Sequence, residues 1–222
     1  MLESIIATNP VRAALHSGKT VLGTMIAEIR QPAIMQLIGL AGFDFVIIDN
    51  EHGPFNIETI ADLSRAGRCY GVTPIVRVPE LTYTYLAQSL DVGAQGIMLP
   101  RVTSVEQVKQ AIDIVKYPPE GNRGNALNRG HTNFKVGPVL DIMARANQEN
   151  LTVIQIETKE ALEQVDEIAA VPGVDVLFIG PNDLSISLGV AGPPTQDVMV
   201  AAIEKVVAAC QKHGVTCAIQ LA

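Results

Sequence analysis

Tryptophan is absent from this 222-residue chain, and aromatic residues make up only 4% of it. Basic residues are also scarce: 16 Lys and Arg stand against 23 Asp and Glu, a net charge of −7. They form no run anywhere along the chain. Nucleic-acid binding leaves a basic patch, so a nucleic-acid partner is not expected. No apolar stretch reaches the ~18 residues that a membrane helix needs, so no membrane partner is expected either. The opening MLESIIATNP carries an acid and no basic segment, unlike a secretory leader. Cysteine is sparse too. Cys69, Cys210 and Cys217 are odd in number and make no C-x-x-C pair, the pattern of free thiols in a reducing cytoplasm. No G-x-G-x-x-G follows any apolar run, which weakens a dinucleotide-binding reading.

What is present is an ordinary globular balance, 48% hydrophobic and 18% charged, in a length that suits one domain with one large core. Short apolar runs rich in β-branched residues recur at 20–27, 43–48, 73–78, 96–102, 151–156, 175–179 and 216–221. Each is apolar on both faces, as a buried parallel strand is. Helical patterning fills most of the gaps, at 34–40, 57–69, 83–92, 105–115, 159–169 and 198–212. Strands alternating with helices imply a parallel sheet with right-handed crossovers. Seven such repeats favour a (β/α)8-type barrel, the TIM fold, as one domain over 1–222. Such a barrel has eight strands and about 250 residues. An eighth strand and last helix are therefore expected to be missing after CAIQLA, leaving the domain C-terminally incomplete.

The chemistry of such a barrel sits at the C-terminal ends of its strands. Those ends carry Asp49-Asn50-Glu51-His52-Gly53, Arg77, Arg101, Gln155 with Glu157, and Gly180-Pro181-Asn182-Asp183. Two carboxylates on successive strands, Glu157 and Asp183, suit a hard cation such as Mg²⁺ or Mn²⁺, with Co²⁺ also admitted. Zinc is less favoured because one histidine serves this mouth. Each carboxylate is equally well read as the cap of a following helix. His52 suits proton transfer near neutral pH, and Asp91 either orients its imidazole or is a surface acid at a helix end. Arg77 lies inside an apolar run, where an unpaired charge is costly. Its fork matches a carboxylate or an enolate oxygen, or an internal ion pair. The amides of Asn182 and Asp183 offer an anion seat, since Pro181 has no N–H to give. His131 lies in the 121–133 loop and is read as solvated.

With these residues in view, the chain resembles the HpcH/HpaI (4-hydroxy-2-oxoheptanedioate) aldolase family of class II pyruvate aldolases. The matching stretches are TVLGT at 20–24, FDFVIIDNEHGPF at 43–55, PIVRV at 74–78, LDVGAQG at 90–96, YPPEGNRG at 117–124, QIET at 155–158 and VLFIGPNDLSISLG at 176–189. The resemblance implies a barrel of the phosphoenolpyruvate/pyruvate-binding kind that cleaves a 4-hydroxy-2-oxo acid to pyruvate and an aldehyde. It implies Glu157 and Asp183 as metal ligands and the amides of Asn182 and Asp183 as holders of the substrate carboxylate. Arg77 would face the enolate oxygen, Gln155 would place the substrate, and His52 with Asp91 would move protons. A hexamer is the assembly implied. NALNRGHTNF at 125–134 departs from the family's best-known loop, so the aldehyde partner is not carried over.

Three rivals stand beside this reading. A Schiff-base aldolase needs a lysine on an inner strand, and none of the seven lysines lies inside an apolar run. An oxaloacetate-type decarboxylase would use the same enolate and the same residues. A non-catalytic 2-oxo-acid-binding barrel would have no need of a proton-transfer histidine.

Overall fold

The computed structural model describes residues 2–193 and 195–221. Seven strands form one sheet in chain order: β1 (Gly23–Ile26), β2 (Phe45–Asp49), β3 (Thr73–Arg77), β4 (Gly96–Leu99), β5 (Leu151–Ile156), β6 (Val176–Ile179) and β7 (Thr216–Ile219). Between and before them run α1 (Pro10–His16), α2 (Ala33–Leu40), α3 (Ile57–Cys69), α4 (Tyr83–Asp91), α5 (Val105–Val115), α6 (Val139–Glu149), α7 (Lys159–Glu163), α8 (Val165–Ala169), α9 (Pro181–Ser187) and α10 (Asp197–His213). Among the described residues, no helix is long and apolar enough to cross a membrane.

The expected (β/α)8-type barrel is corrected by this topology. The described residues make seven strands, and β1 and β7 stand at the two ends of the order rather than side by side. A closed barrel hydrogen-bonds every strand on both sides. Here the end strands show the signature of edges. The central β3, β5 and β6 are buried throughout, whereas β7 alternates half-buried with exposed residues and β1 buries only Ile26.

The chain divides into two compact units, residues 1–97 with 113–151 and residues 98–112 with 152–222. In the first unit, β1, β2 and β3 pair in parallel. Asn56 starts α3 by accepting the Thr59 amide at 2.9 Å. Ile60, Leu63, Ser64 and Gly67 then fall on its buried face at helical spacing. The β2–β3 register sets Asp49 opposite Arg77. A second cluster gathers Ile5, Ile6, Tyr117, Ile142, Met143 and Ala146.

In the second unit, β5, β6 and β7 are again parallel. Asp175 ties the start of β6 to β5, accepting the Thr152 amide at 2.8 Å and donating its own N–H to Thr152 at 3.0 Å. The helix expected over 159–169 breaks at Gln164, which leaves the helical region at φ −99°, ψ 14°. Thr158 caps its first half by accepting the Ala161 amide at 3.1 Å. α10 buries Met199, Ala202, Val206 and Ala209 along one stripe and ends on Gly214 at φ 68°.

Candidate active site

Two groups of candidate residues stand at strand ends, one in each unit. In the first unit, the Asp49–Arg77 register produces a forked ion pair. Arg77 Nε donates to Asp49 Oδ1 at 2.9 Å and Nη2 to Oδ2 at 2.7 Å. Both side chains are buried. Burial works against the Asp49 charge, but the Arg77 hydrogen bonds and charge, with the His52 and Glu51 amides, hold its carboxyl below the ordinary range. Arg77 Nη1 also lies 3.2 Å from Glu51 Oε2. That oxygen is buried and is held by charge rather than by an aligned hydrogen bond.

His52 extends from this cluster. Its Nε2 sits 3.8 Å from Glu51 Oε2, and its side chain is 66% exposed. A histidine so placed has solvent and one carboxylate within reach, the setting of a proton shuttle. The tight chain reversal beside it depends on Gly53. A Cβ there would meet Asp49 O at 2.2 Å and Ala27 O at 2.6 Å.

Asp91 ends α4, and its carboxylate accepts from Arg123 Nη2 at 2.5 Å. Glu51 is a carboxylate within ion-pair reach of the His52 ring. Arg123 is fully buried and lies over the Tyr117 ring, 4.5 Å from its centroid. His131 completes the group. Its Nδ1 is 3.2 Å from the Asp91 carbonyl oxygen and its Nε2 is 3.3 Å from the Tyr117 hydroxyl. The loop histidine read as solvated is therefore buried. Burial, then the Arg123 charge, lowers its pKa to about 4.

In the second unit, Gln155 lies near the end of β5 and Glu157 directly after its last residue, and both are buried. Gln155 Nε2 donates to Glu157 Oε2 at 2.5 Å, and the Arg101 amide donates to Glu157 Oε1 at 2.6 Å. Gln155 Oε1 is buried with no hydrogen-bond partner among the described residues. Gly180 makes the neighbouring backbone pass close by. A Cβ there would stand 2.9 Å from Gln155 Nε2 and 3.1 Å from Glu157 Oε2. Asn182 and Asp183 lie exposed in the first turn of α9, where helical amides point outward without intrahelical acceptors.

These features fit a hard cation. Glu157 offers a carboxyl group held in place by two N–H donors, Gln155 brings an oxygen unpartnered among the described residues, and Asp183 is a second, accessible carboxylate. Among the described residues no group of three or more His, Cys, Asp or Glu is placed to hold a metal. Two carboxylates with the remaining positions left to water and substrate oxygens is the pattern of Mg²⁺ sites rather than of closed zinc sites.

Sequence reasoning passed over two contributors. Arg101 was placed at a strand end without a role, and its amide is a direct partner of Glu157. Arg123, the partner of Asp91, belongs to the 121–133 loop read as solvated, and its side chain is buried.

The family model described as HpcH/HpaI aldolase/citrate lyase matches residues 24–221. A 5-keto-4-deoxy-D-glucarate aldolase of Citrobacter koseri is 33% identical over 219 residues, covering 99% of this chain and 84% of that protein. The crystal structure of an HpcH/HpaI aldolase from Desulfitobacterium hafniense superposes with a TM-score of 0.92 at 34% identity, covering 96% of this chain and 82% of that one. The citrate synthase SbnG superposes with a TM-score of 0.84 at 31% identity, covering 95% and 81%. These likenesses span nearly all of the chain and mark it as an enzyme of the lyase class. By the family model over residues 24–221 and a relative 33% identical over nearly its whole length, the chain belongs to the HpcH/HpaI aldolase/citrate lyase family.

Proposed function

We propose that the chain is a divalent-metal-dependent aldolase that splits a 4-hydroxy-2-oxo acid into pyruvate, or a related 2-oxo acid, and an aldehyde. The observation that carries this is the held carboxylate of Glu157, fixed by Gln155 and the Arg101 amide against Gly180. Glu157 and Asp183 would hold Mg²⁺ or Mn²⁺, which supplies Lewis-acid polarisation of the substrate's keto oxygen.

The chain's own residues do the rest. The amides of Asn182 and Asp183 bind the substrate carboxylate, and Gln155 orients the 2-oxo group. His52 takes the proton from the C4 hydroxyl. The C3–C4 bond then breaks, its electron pair moves into a C2–C3 double bond, and charge collects on the C2 oxygen. Arg77 stabilises that oxygen with its positive charge, its guanidinium plane already fixed by Asp49. Asp91 supports the proton transfers of His52, and C3 is finally protonated to give the 2-oxo acid. A self-associated form is part of this reading, supported by the run of exposed apolar residues Phe134, Val136, Val139 and Leu140.

The test is exchange of pyruvate methyl protons with deuterated water, followed by NMR with Mn²⁺ or Mg²⁺ and then with a chelator. Metal-dependent exchange is the expected result, and it reports enolate formation without an aldehyde. Exchange that is absent, or that a chelator leaves untouched, would remove this function.

A further inference from the structure

The second unit holds five Lys and Arg side chains, Arg101, Lys109, Lys159, Lys205 and Lys212. Each lysine has a partner: Lys109 lies near Glu106, Lys159 near Glu163, Lys205 at the Glu163 carbonyl and Lys212 at Asp166. Among the described residues, the Arg101 guanidinium has none, and the residue is exposed. Yet its backbone is fixed on both sides. Its amide holds Glu157 Oε1 at 2.6 Å, and the carbonyl of the next residue, buried Val102, accepts Thr158 Oγ1 at 2.6 Å.

That fixed backbone is left-handed, at φ 51°. Glycine or asparagine occupies such a position at least cost, and strained non-glycine residues collect where a side chain is used. Holding Glu157 needs only the amide, which any residue but proline supplies. The arginine side chain is thus extra to that task. An exposed bidentate cation, unpartnered among the described residues, is carried on a fixed backbone whose amide holds a proposed metal carboxylate.

We propose that Arg101 is a specificity-determining residue that grips an anionic group, carboxylate or phosphate, on the aldehyde half of the substrate. The guanidinium fork matches both groups. This inference rests on the aldolase reading above.

The experiment compares kcat and KM for addition of pyruvate, with Mn²⁺, to three aldehydes: succinic semialdehyde, D-glyceraldehyde 3-phosphate and neutral butyraldehyde. Wild-type protein is expected to prefer one anionic aldehyde, and which one distinguishes carboxylate from phosphate. Arg101→Met keeps a backbone amide for Glu157 and the same left-handed demand. It should cut the preference for that aldehyde over butyraldehyde by about tenfold or more, chiefly through KM, and Arg101→Lys should recover part of it. Taking the ratio of two aldehydes within one variant cancels any general damage to Glu157. A wild-type enzyme without anionic preference, or an Arg101→Met variant that keeps it, overturns the assignment while pyruvate proton exchange still stands. Failure of that exchange in the wild type removes the aldolase reading, and this inference with it.

Discussion

His131 should make the first unit sensitive to acid. Its ring is buried between Tyr117 and the Asp91 carbonyl, with Arg123 and Arg68 as positive neighbours and Asp91 as the opposing charge. Burial, followed by the Arg123 charge, lowers its pKa from 6.5 to about 4. At pH 7.5 the folded and unfolded chains both carry it neutral, so it adds no pH dependence. As pH falls below about 6.5 the unfolded chain takes up a proton that the folded chain refuses until about pH 4. Stability is therefore lost on acidification, by up to about 1.4 kcal/mol per pH unit and about 3 kcal/mol in all. Urea unfolding of wild type and His131→Gln, at half-unit steps from pH 7.5 to 4.5, measures this. Carboxylates elsewhere titrate alike in both proteins and cancel in the difference. The variant should lose the extra slope between pH 6.5 and 4.5, whatever its stability at pH 7.5. Parallel curves over that window would refute the reasoning and place a charged or exposed imidazole in the native fold.

Other substitutions separate chemistry from scaffolding. Arg77→Ala should lower turnover by about 10²-fold or more and cost about 3 kcal/mol, because it strands the buried Asp49 carboxylate; the double variant with Asp49→Asn should regain stability but not turnover, and recovery of both would make Arg77 purely structural. His52→Gln, at an exposed position, should leave urea unfolding unchanged and cut turnover by about 10²–10⁴-fold; near wild-type rates would end its proposed role. Glu157→Ala should weaken Mn²⁺ binding by at least about tenfold in calorimetry, and unchanged affinity would remove it from the metal. Gly180→Ala should displace the Gln155–Glu157 pair and weaken Mn²⁺ binding in a chain whose circular dichroism is unaltered, and full affinity would show that the close approach is idle.

Most strands and helices were legible because burial leaves a direct mark on composition. A central strand such as β5, covered on both faces, must be apolar at every second position and nearly so between them, and LTVIQI reads that way. The edges were less legible for the same reason. A half-exposed strand needs fewer apolar residues, so the apolar run at 20–27 overstates β1, which pairs over only four residues. Closure was misjudged because strand count alone does not say which strands share hydrogen bonds. α6 was not anticipated, since its buried Ile142, Met143, Ala146 and Asn147 include two small or polar residues that dilute the helical pattern.

At the candidate site, the sequence showed residue types but not their pairing. Arg77 illustrates why. An arginine inside an apolar run must find a partner, and that much follows from the cost of burying charge. Which partner it finds depends on register. Because Phe45 pairs with Thr73, Asp49 falls opposite Arg77, and a slip of one residue would turn the carboxylate to the other face of β2. Arg101 is illegible for a deeper reason. Its role at Glu157 belongs to a backbone amide, which every residue except proline has, and its left-handed φ leaves no trace in the letter R. Only the structure shows that this strand-end arginine, unpartnered among the described residues, stands on a backbone whose amide holds the carboxylate proposed for the metal.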